Sequence, residues 1–132
     1  MPWIPESHLD LMLDETKAFA SLTTLMKDGS PQATPVWFNT DGIHILINSA
    51  SGRVKDRNMR RNPNVTLVII DPKDSYRYIQ VRGKVVEITN QGAREHINAL
   101  SKKYTGRDVY TGDPAAEERV IYKILPEKIS TK

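Results

Sequence analysis

Alternating hydrophobic and polar positions dominate the first half of the chain and predict β-strands. Residues 18–25 and 32–39 are rich in β-branched and aromatic residues, and the Asp-Gly pair at 28–29 between them is typical of a hairpin turn. A second Asp-Gly pair, at 41–42, precedes residues 43–47, where isoleucine at every second position indicates a strand with one buried face. The pattern therefore predicts a three-stranded meander.

The second half of the chain combines further strands with helical patterns. Residues 65–70 form a nearly continuous apolar run, which is typical of a strand covered on both faces. From 76 to 89 the apolar positions change phase near Gly83, which predicts a long strand with a bulge or bend. Helical spacing predicts a helix over 91–104, and alternation predicts a last strand over 119–125. Two short helices are predicted, over residues 7–13 and 52–61.

Together these elements predict a mainly β protein with α+β character. Short antiparallel strands with a few packed helices make an α+β or closed β-barrel domain, and a strand that bends can close a barrel. The length fits one domain over residues 1–132, because a chain of this size can bury roughly two thirds of the surface exposed on unfolding.

Composition excludes several kinds of chemistry. The chain has no cysteine, so disulfides, thiolate nucleophiles and Cys-ligated metal centres are all excluded. His8, His44 and His96 are far apart and have no ligand spacing, so no metal site is expected. No apolar run approaches the length of about 20 residues that spans a bilayer, and the N-terminus lacks the features of a signal peptide. We therefore expect a cytoplasmic protein without membrane contact.

The net charge of +3 is concentrated in one segment. Between residues 52 and 62, five basic side chains and the single acid Asp56 give a local charge of +4, which leaves −1 for the rest of the chain. Solvated helices usually mix both signs to gain pairing at i and i+4, and this segment does not. The segment therefore predicts a localised anion site. Its basic residues are Arg53, Lys55, Arg57, Arg60 and Arg61.

The turn at 48–52 and the predicted helix after it combine three devices that bind anions. These are the backbone N–H groups at a helix start, small hydroxyl side chains, and Arg or Lys donors. Arg53 and Lys55, in the first turn, are best placed to hold a phosphate, since Arg offers a planar fork and Lys a point charge. A solvated charged face is the alternative interpretation. Nucleic-acid binding is not expected, because the charge spans only about eleven residues and no RNA-type aromatic motif accompanies it.

Five segments are together more specific, in their order and spacing, than any one of them alone. They are Phe19-Ala20-Ser21-Leu22-Thr23-Thr24, Asp28-Gly29-Ser30-Pro31-Gln32, Thr34-Pro35-Val36-Trp37-Phe38, Lys55-Asp56-Arg57-Asn58-Met59-Arg60-Arg61-Asn62-Pro63 and Val81-Arg82-Gly83-Lys84-Val85. A weaker sixth is Lys103-Tyr104-Thr105-Gly106. In these segments the chain resembles the pyridoxamine 5′-phosphate oxidase-like flavoproteins, and within them the deazaflavin-dependent reductases. The similarity covers nearly the whole chain.

The resemblance implies an FMN-binding-like split β-barrel of about six antiparallel strands, with Greek-key topology and two to four short helices. It also implies a homodimer with the cofactor at the interface. The residues that would lie on the phosphate side are Ser49, Arg53, Lys55 and Asn58. Those that would line the ring side are Gln32, Thr34, Pro35, Val36 and Trp37. Those that would come from the second subunit are Tyr76, Tyr78 and Gln80. Ordinary sheet packing is the alternative for the strand residues.

The expected cofactor is the deazaflavin coenzyme F420, with FMN as the alternative. A basic segment with a single acid favours a cofactor more negative than FMN, and F420 has a tail with a phosphodiester and glutamates. The chain ends Pro126-Glu127-Lys128-Ile129-Ser130-Thr131-Lys132 and lacks the Arg-Leu-type extension with which the vitamin B6 oxidases grip pyridoxal phosphate. Vitamin B6 oxidation is therefore not expected.

The expected activity is hydride transfer between the cofactor and a small unsaturated substrate. No side chain is expected to be an essential general acid or base, because the chain lacks cysteine and no carboxylate pair lies near the basic segment. A non-catalytic flavin or tetrapyrrole carrier or sensor on the same fold is the alternative, and the sequence does not separate the two. The homodimer is also favoured by the apolar run at 65–70, which a single barrel would struggle to cover.

Overall fold

Antiparallel strands form one curled sheet. The computed structural model describes residues 2–112 and 117–132, and within these the sheet has seven strands in the order β2-β1-β5-β6-β7-β4-β3. The strands are β1 (Phe19–Leu25), β2 (Pro31–Val36), β3 (Phe38–Thr40), β4 (Ile45–Ala50), β5 (Asn64–Asp71), β6 (Asp74–Thr89) and β7 (Arg119–Thr131). The predicted mainly β, split-barrel fold is confirmed, with one strand more than expected.

Two α-helices and two short 3-10 helices accompany the sheet in the described residues. Helix α1 spans Val54–Arg61 and α2 spans Ala93–Thr105, each within two residues of its predicted bounds. The predicted first helix is a 3-10 helix over Glu6–Met12, and a second 3-10 helix follows over Asp14–Thr16. Helix α2 ends at Gly106, whose φ of 80° is left-handed and suits the glycine that the sequence places there.

The predicted second strand is divided between opposite edges of the sheet. Its first part, β2, pairs with β1, with Val36 opposite Ala20. Its second part, β3, pairs with β4, with Phe38 opposite Ile47. Only Trp37 separates β2 from β3, so the chain passes from one edge of the sheet to the other at a single residue. The predicted three-stranded meander is therefore wrong as a continuous unit, because its middle strand is split between two edges, and this split accounts for the additional strand.

The strands β4 to β7 have the Greek-key arrangement that the resemblance implies. Strands β5, β6 and β7 are successive neighbours, and β4 lies beside β7 rather than beside β5. The connection from β4 to β5 contains α1, and the connection from β6 to β7 contains α2. The start of α1 thus lies directly after the end of β4.

The main core lies inside the curled sheet, where alternate residues of each strand are buried. Fully buried side chains there include Leu22, Leu67, Ile79, Phe38, Ile47, Tyr122 and Ile124. Buried residues of α2, among them Ile97 and Leu100, lie outside this core cluster, and α2 packs against β4 and β7. One part of the outer face is therefore covered by α2.

Strand β5 is buried on one face only in the isolated chain. Val65, Leu67 and Ile69 face the core, whereas Val68 and Ile70 on the other face are half-buried. The expected cover of both faces is therefore incomplete within the chain.

The predicted bend in β6 is confirmed near Gly83. The pairing of β6 with β7 shifts register between Arg82 and Gly83, and again between Val85 and Glu87. A Cβ atom on Gly83 would lie 2.6 Å from the backbone oxygen of Leu125. Only glycine allows β7 to approach this closely.

We expect Gly83→Ala to lower the free energy of unfolding by about 1 to 3 kcal/mol, because the added methyl group must displace backbone. Denaturant unfolding would measure the effect. Lys84→Ala, at an exposed position of the same strand, is the control and should stay within about 0.5 kcal/mol of the parent. Equal stability of Gly83→Ala and the parent would contradict the close approach.

Candidate functional site

A cavity of about 310 Å³ opens beside Trp37, between α2 and the ends of several strands. Apolar walls come from β1, β2 and α2, and polar walls come from β4, β7 and the start of α1 with the residue before it. Its lining residues are Phe19, Pro35, Val36, Trp37, Asn48, Arg53, Lys55, Ile97, Leu100, Tyr110 and Arg119.

Residues predicted for the two ends of a cofactor meet in this cavity. Pro35, Val36 and Trp37 were predicted for the ring side, and Arg53 and Lys55 for the phosphate side. They are brought together because β2 ends at the crossover while the segment before α1 leaves the end of β4. The cavity therefore has an aromatic side and a cationic side.

Two predicted phosphate-side residues do not line the cavity. Side chains alternate along a strand, so Ser49 is buried against the barrel interior while Asn48 faces the cavity. The Ser49 hydroxyl has no hydrogen-bond partner in the described part of the chain. The Asn58 amide donates to the Thr24 hydroxyl at 3.0 Å and to the Met26 sulfur at 3.3 Å. Asn58 thus fastens α1 to β1.

The other predicted residues also lie away from the cavity of their own chain. Gln32 and Thr34 are half-buried on β2 and are not among the lining residues. Tyr76, Tyr78 and Gln80 lie on the outer face of β6, where Tyr76 is 77% exposed. Their assignment to the second subunit stays a prediction.

The cationic side of the cavity is crowded with like charge. Burial lowers the pKa of Lys55, and the nearby positive charges of Arg53 and Arg119 lower it further. Lys55 has no hydrogen bond or ion pair within the described ranges, whereas a terminal nitrogen of Arg53 lies 3.3 Å from Glu117 Oε2. A bound anion would offset the repulsion at Lys55.

The remaining basic residues of α1 have structural partners. Arg60 Nε donates to Asp56 Oδ1 at 3.0 Å, and Arg57 and Arg61 each donate to a backbone carbonyl, at 2.5 and 3.3 Å. The positive segment predicted from the sequence therefore contributes Arg53 and Lys55 to the cavity, while the later arginines hold α1 in place.

Asp56 is an anchor within the fold. It is 2% exposed and accepts hydrogen bonds from the Tyr122 hydroxyl, from the Gly52 N–H at 2.9 Å and from Arg60. Burial works against its charge, but these bonds together lower the pKa of Asp56. The carboxylate is fully engaged and joins the start of α1 to β7.

Stacked aromatic rings hold the crossover residue in position. The Tyr104 ring lies between Phe19 and Trp37, with centroid distances of 5.4 and 5.3 Å and interplanar angles of 27° and 10°. Tyr110 meets Trp37 edge-on at 5.9 Å. The Tyr104 hydroxyl donates to the carbonyl of Ala18 at 2.6 Å, and burial raises the pKa of Tyr104 to about 12. Trp37 thus presents a fixed flat surface beside the cations.

A hydrogen-bonded chain of side chains supports the polar wall. Arg119 Nε donates to Asn48 Oδ1 at 2.9 Å. Asn48 Nδ2 lies 2.9 Å from the Ala93 carbonyl and 3.0 Å from His96 Nδ1, and His96 Nε2 lies 2.8 Å from Asn39 Oδ1. Because an amide nitrogen only donates, His96 Nδ1 is the acceptor and the ring proton is on Nε2. Burial, and then the charge of Arg119, lower the pKa of His96 to about 4.

Sequence reasoning missed six lining residues, namely Phe19, Asn48, Ile97, Leu100, Tyr110 and Arg119. Asn48 was accessible from the sequence, because alternation along a strand places it and Ser49 on opposite faces. Arg119 was not, since its place follows from the pairing of β4 with β7, where it lies opposite Ala50.

Two further features are absent from the described residues. No group of three or more His, Asp or Glu side chains there could hold a metal ion. Within residues 2–112 and 117–132, no helix is both long and apolar enough to cross a membrane.

Comparison with known proteins identifies the class that this fold and cavity define. The family model described as pyridoxamine 5′-phosphate oxidase matches residues 11–132. The chain therefore belongs to the pyridoxamine 5′-phosphate oxidase family, and the predicted resemblance is confirmed. None of the curated proteins matches the chain.

Solved structures with the same fold include one that is also similar in sequence. An F420 reductase is 32% identical, with a TM-score of 0.83 over 96% of this chain and 98% of its own. A conserved hypothetical protein from Mycobacterium tuberculosis is 22% identical, with a TM-score of 0.71 over 97% of this chain and 84% of its own. Group A Streptococcus HupZ is 19% identical, with a TM-score of 0.66 over 97% of this chain and 93% of its own. The latter two show the fold alone.

We expect the buried His96 to make the protein sensitive to mild acid. Its pKa is about 4 in the fold against an ordinary value of 6.5, so the unfolded chain binds more protons between these values and stability falls as pH falls through this window. The free energy of unfolding should drop by about 2 kcal/mol between pH 7 and pH 5 from this residue.

Denaturant titrations at both pH values measure the drop. His96→Gln, which has no ionisable ring, should remove most of it, while His8→Gln, at a half-buried histidine away from the cavity wall, serves as the control. An unchanged drop in His96→Gln would show that other groups cause it.

Proposed function

We propose that this chain is an oxidoreductase that binds coenzyme F420, with FMN as the alternative, and exchanges a hydride with a small unsaturated substrate. The observation that carries the proposal is the cavity that both Trp37 and a half-buried Lys55 line, where Lys55 has no partner among the described residues. A cofactor with a planar ring and an anionic arm matches this combination of surfaces.

The cationic side fits the anionic arm. Arg53 and Lys55 come from the start of α1, where backbone N–H groups add partial positive charge. Lys55 can reach an anion without giving up another contact, since none of the described residues pairs with it. A charge-assisted bond to phosphate is therefore a net gain there.

The choice of F420 over FMN rests on similarity rather than on the cavity. The F420 reductase shares 32% of its residues over nearly the whole length of both chains. Both cofactors have a planar tricyclic ring and a phosphate, so the cavity suits either. Direct titration with each cofactor distinguishes them.

A second copy of the chain would complete the site. The cavity of about 310 Å³ is at the lower end of the range of about 300 to 1,000 Å³ for ligand pockets. An apolar strip crosses the outer face of three strands, with Phe19 opposite Ile70 and Ile70 opposite Tyr78, and Phe19 also lines the cavity. A partner packed on this strip would both bury it and extend the cavity wall.

The residues of the chain bind and orient the cofactor, which when bound supplies the hydride chemistry. Trp37 and Val36 exclude water from the ring side. Two titratable groups behind the cavity walls have other tasks: Tyr104 donates to a backbone carbonyl, and His96 is neutral within its hydrogen-bonded chain. We therefore expect neither of them to act as a general acid or base.

We expect Lys55→Ala to weaken cofactor binding by about tenfold to a hundredfold, because a hydrogen bond to a charged group contributes about 1.5 to 3 kcal/mol. The free energy of unfolding without cofactor should stay the same or rise, since the substitution relieves repulsion with Arg53 and Arg119. Fluorescence or absorbance titration with F420 and with FMN measures binding.

Lys27→Ala, at an exposed position in the β1–β2 turn, is the matched control and should bind like the parent. If Lys55→Ala also binds like the parent, the phosphate site lies elsewhere. If the parent protein binds the cofactor but does not reduce or oxidise any candidate substrate, the result favours a non-catalytic carrier over an enzyme.

A second expectation concerns the dimer. Val68 is half-buried beside the apolar strip, so Val68→Glu should place a charge in the proposed dimer interface. Sedimentation of this variant should give the mass of one chain, and its cofactor binding should be weaker than that of the parent. Val86→Glu, at a position already 51% exposed, should keep twice the chain mass. A parent protein that sediments as a monomer yet binds cofactor would rule out the shared site.

A further inference from the structure

The hydrogen bonds behind the polar wall allow only one assignment of donors and acceptors. The guanidinium of Arg119 can only donate, so Asn48 Oδ1 must face it. Asn48 Nδ2 then points at the Ala93 carbonyl and at His96 Nδ1. His96 in turn must donate from Nε2 to Asn39. Each group therefore fixes the orientation of the next, and the hydrogen bonds connect to Arg119, a cation that lines the cavity.

We propose that Asn48 and His96 are positioning residues that hold the Arg119 guanidinium on the cavity wall, where it binds the anionic part of the cofactor together with Lys55. This inference rests on the proposed function. It adds a third cation to the anion site, one that lies far from the basic segment in the sequence.

Arg119 needs such support because its side chain is long. An arginine held in one geometry loses rotamer freedom, and immobilising a side chain on binding costs affinity. In this fold the rotamer freedom of Arg119 is already lost before a ligand binds. Arg119 is 5% exposed, its Nε donates to Asn48, and its guanidinium carbon lies 5.4 Å from the centre of the Tyr110 ring. Two contacts in different directions fix the plane of the guanidinium.

The network does more than attach α2 to the sheet. The bond from Asn48 to the Ala93 carbonyl alone would hold the start of α2 on β4. The amide instead also bonds Arg119 and His96, so that all of its polar atoms are used. Arg119 is close enough to Lys55 to lower the pKa of that lysine. The two cations therefore act on the same small volume.

A double-mutant cycle on the dissociation constant tests the proposal. Arg119→Ala should weaken F420 binding by about tenfold to a hundredfold. Asn48→Ala should weaken it by roughly twofold to tenfold, the cost of losing the bond that orients Arg119 Nε. In the Arg119→Ala background, Asn48→Ala should have no further effect, because it acts through Arg119. FMN replaces F420 as the probe if only FMN binds the parent protein.

The matched cycle pairs Asn48→Ala with Lys27→Ala, at the exposed position in the β1–β2 turn. Lys27 has no role in the proposed anion site, so Asn48→Ala should weaken binding by the same factor with and without Lys27→Ala. His96 gives an independent readout. His96→Leu should weaken binding as Asn48→Ala does, whereas His96→Gln, which can both accept and donate, should bind within about twofold of the parent. Unfolding curves verify that every variant is folded under the binding conditions.

The possible results separate this inference from the proposed function. If Asn48→Ala weakens binding equally with and without Arg119, it acts through the fold and the positioning role is wrong. If Arg119→Ala binds like the parent while Lys55→Ala does not, Arg119 is no part of the anion site, and the proposed function still stands. If neither Lys55→Ala nor Arg119→Ala changes binding, both the inference and the proposed site fail.

Discussion

The site depends on the crossover between the two edges of the sheet. Because β2 and β3 lie at opposite edges with only Trp37 between them, the backbone here cannot form a regular ladder on both sides. Helix α2 supplies the missing partners. Lys103 Nζ donates to the carbonyl of Phe38 at 2.7 Å and lies 4.2 Å from the centre of its ring, and the Tyr104 hydroxyl accepts from the Phe38 N–H at 3.4 Å.

This arrangement couples α2 to the cavity. The same helix stacks Tyr104 against Trp37, lines the cavity with Ile97 and Leu100, and carries His96 behind the polar wall. A shift of α2 would therefore change both the aromatic and the cationic sides of the cavity. The position of one helix sets the geometry between surfaces that lie on distant segments of the chain.

Local patterns predicted the elements well, but not their connections. Alternation, the Asp-Gly turns and the phase change at Gly83 each have a local physical cause, and the strands and helices appear where these signals lie. The split at Trp37 has no local signal, because a strand that changes partners keeps the same alternation. The same limit applies to the cavity. Charge density identified Arg53 and Lys55, while the partner strand that brings Arg119 beside Asn48 is a property of the whole sheet.

The number of basic residues in the segment predicted the anion site, but the pairing of each residue decides which of them can bind an anion. Arg60 is bonded to a buried Asp56, and Arg57 and Arg61 donate to backbone carbonyls, so these three stabilise α1. The residue that no described group pairs with is Lys55, which is half-buried beside two other cations. Such a cluster destabilises the empty fold. An anionic ligand that binds only the folded state would offset this repulsion and stabilise the fold. The half-buried Lys55 is therefore more informative about function than the long basic segment around it.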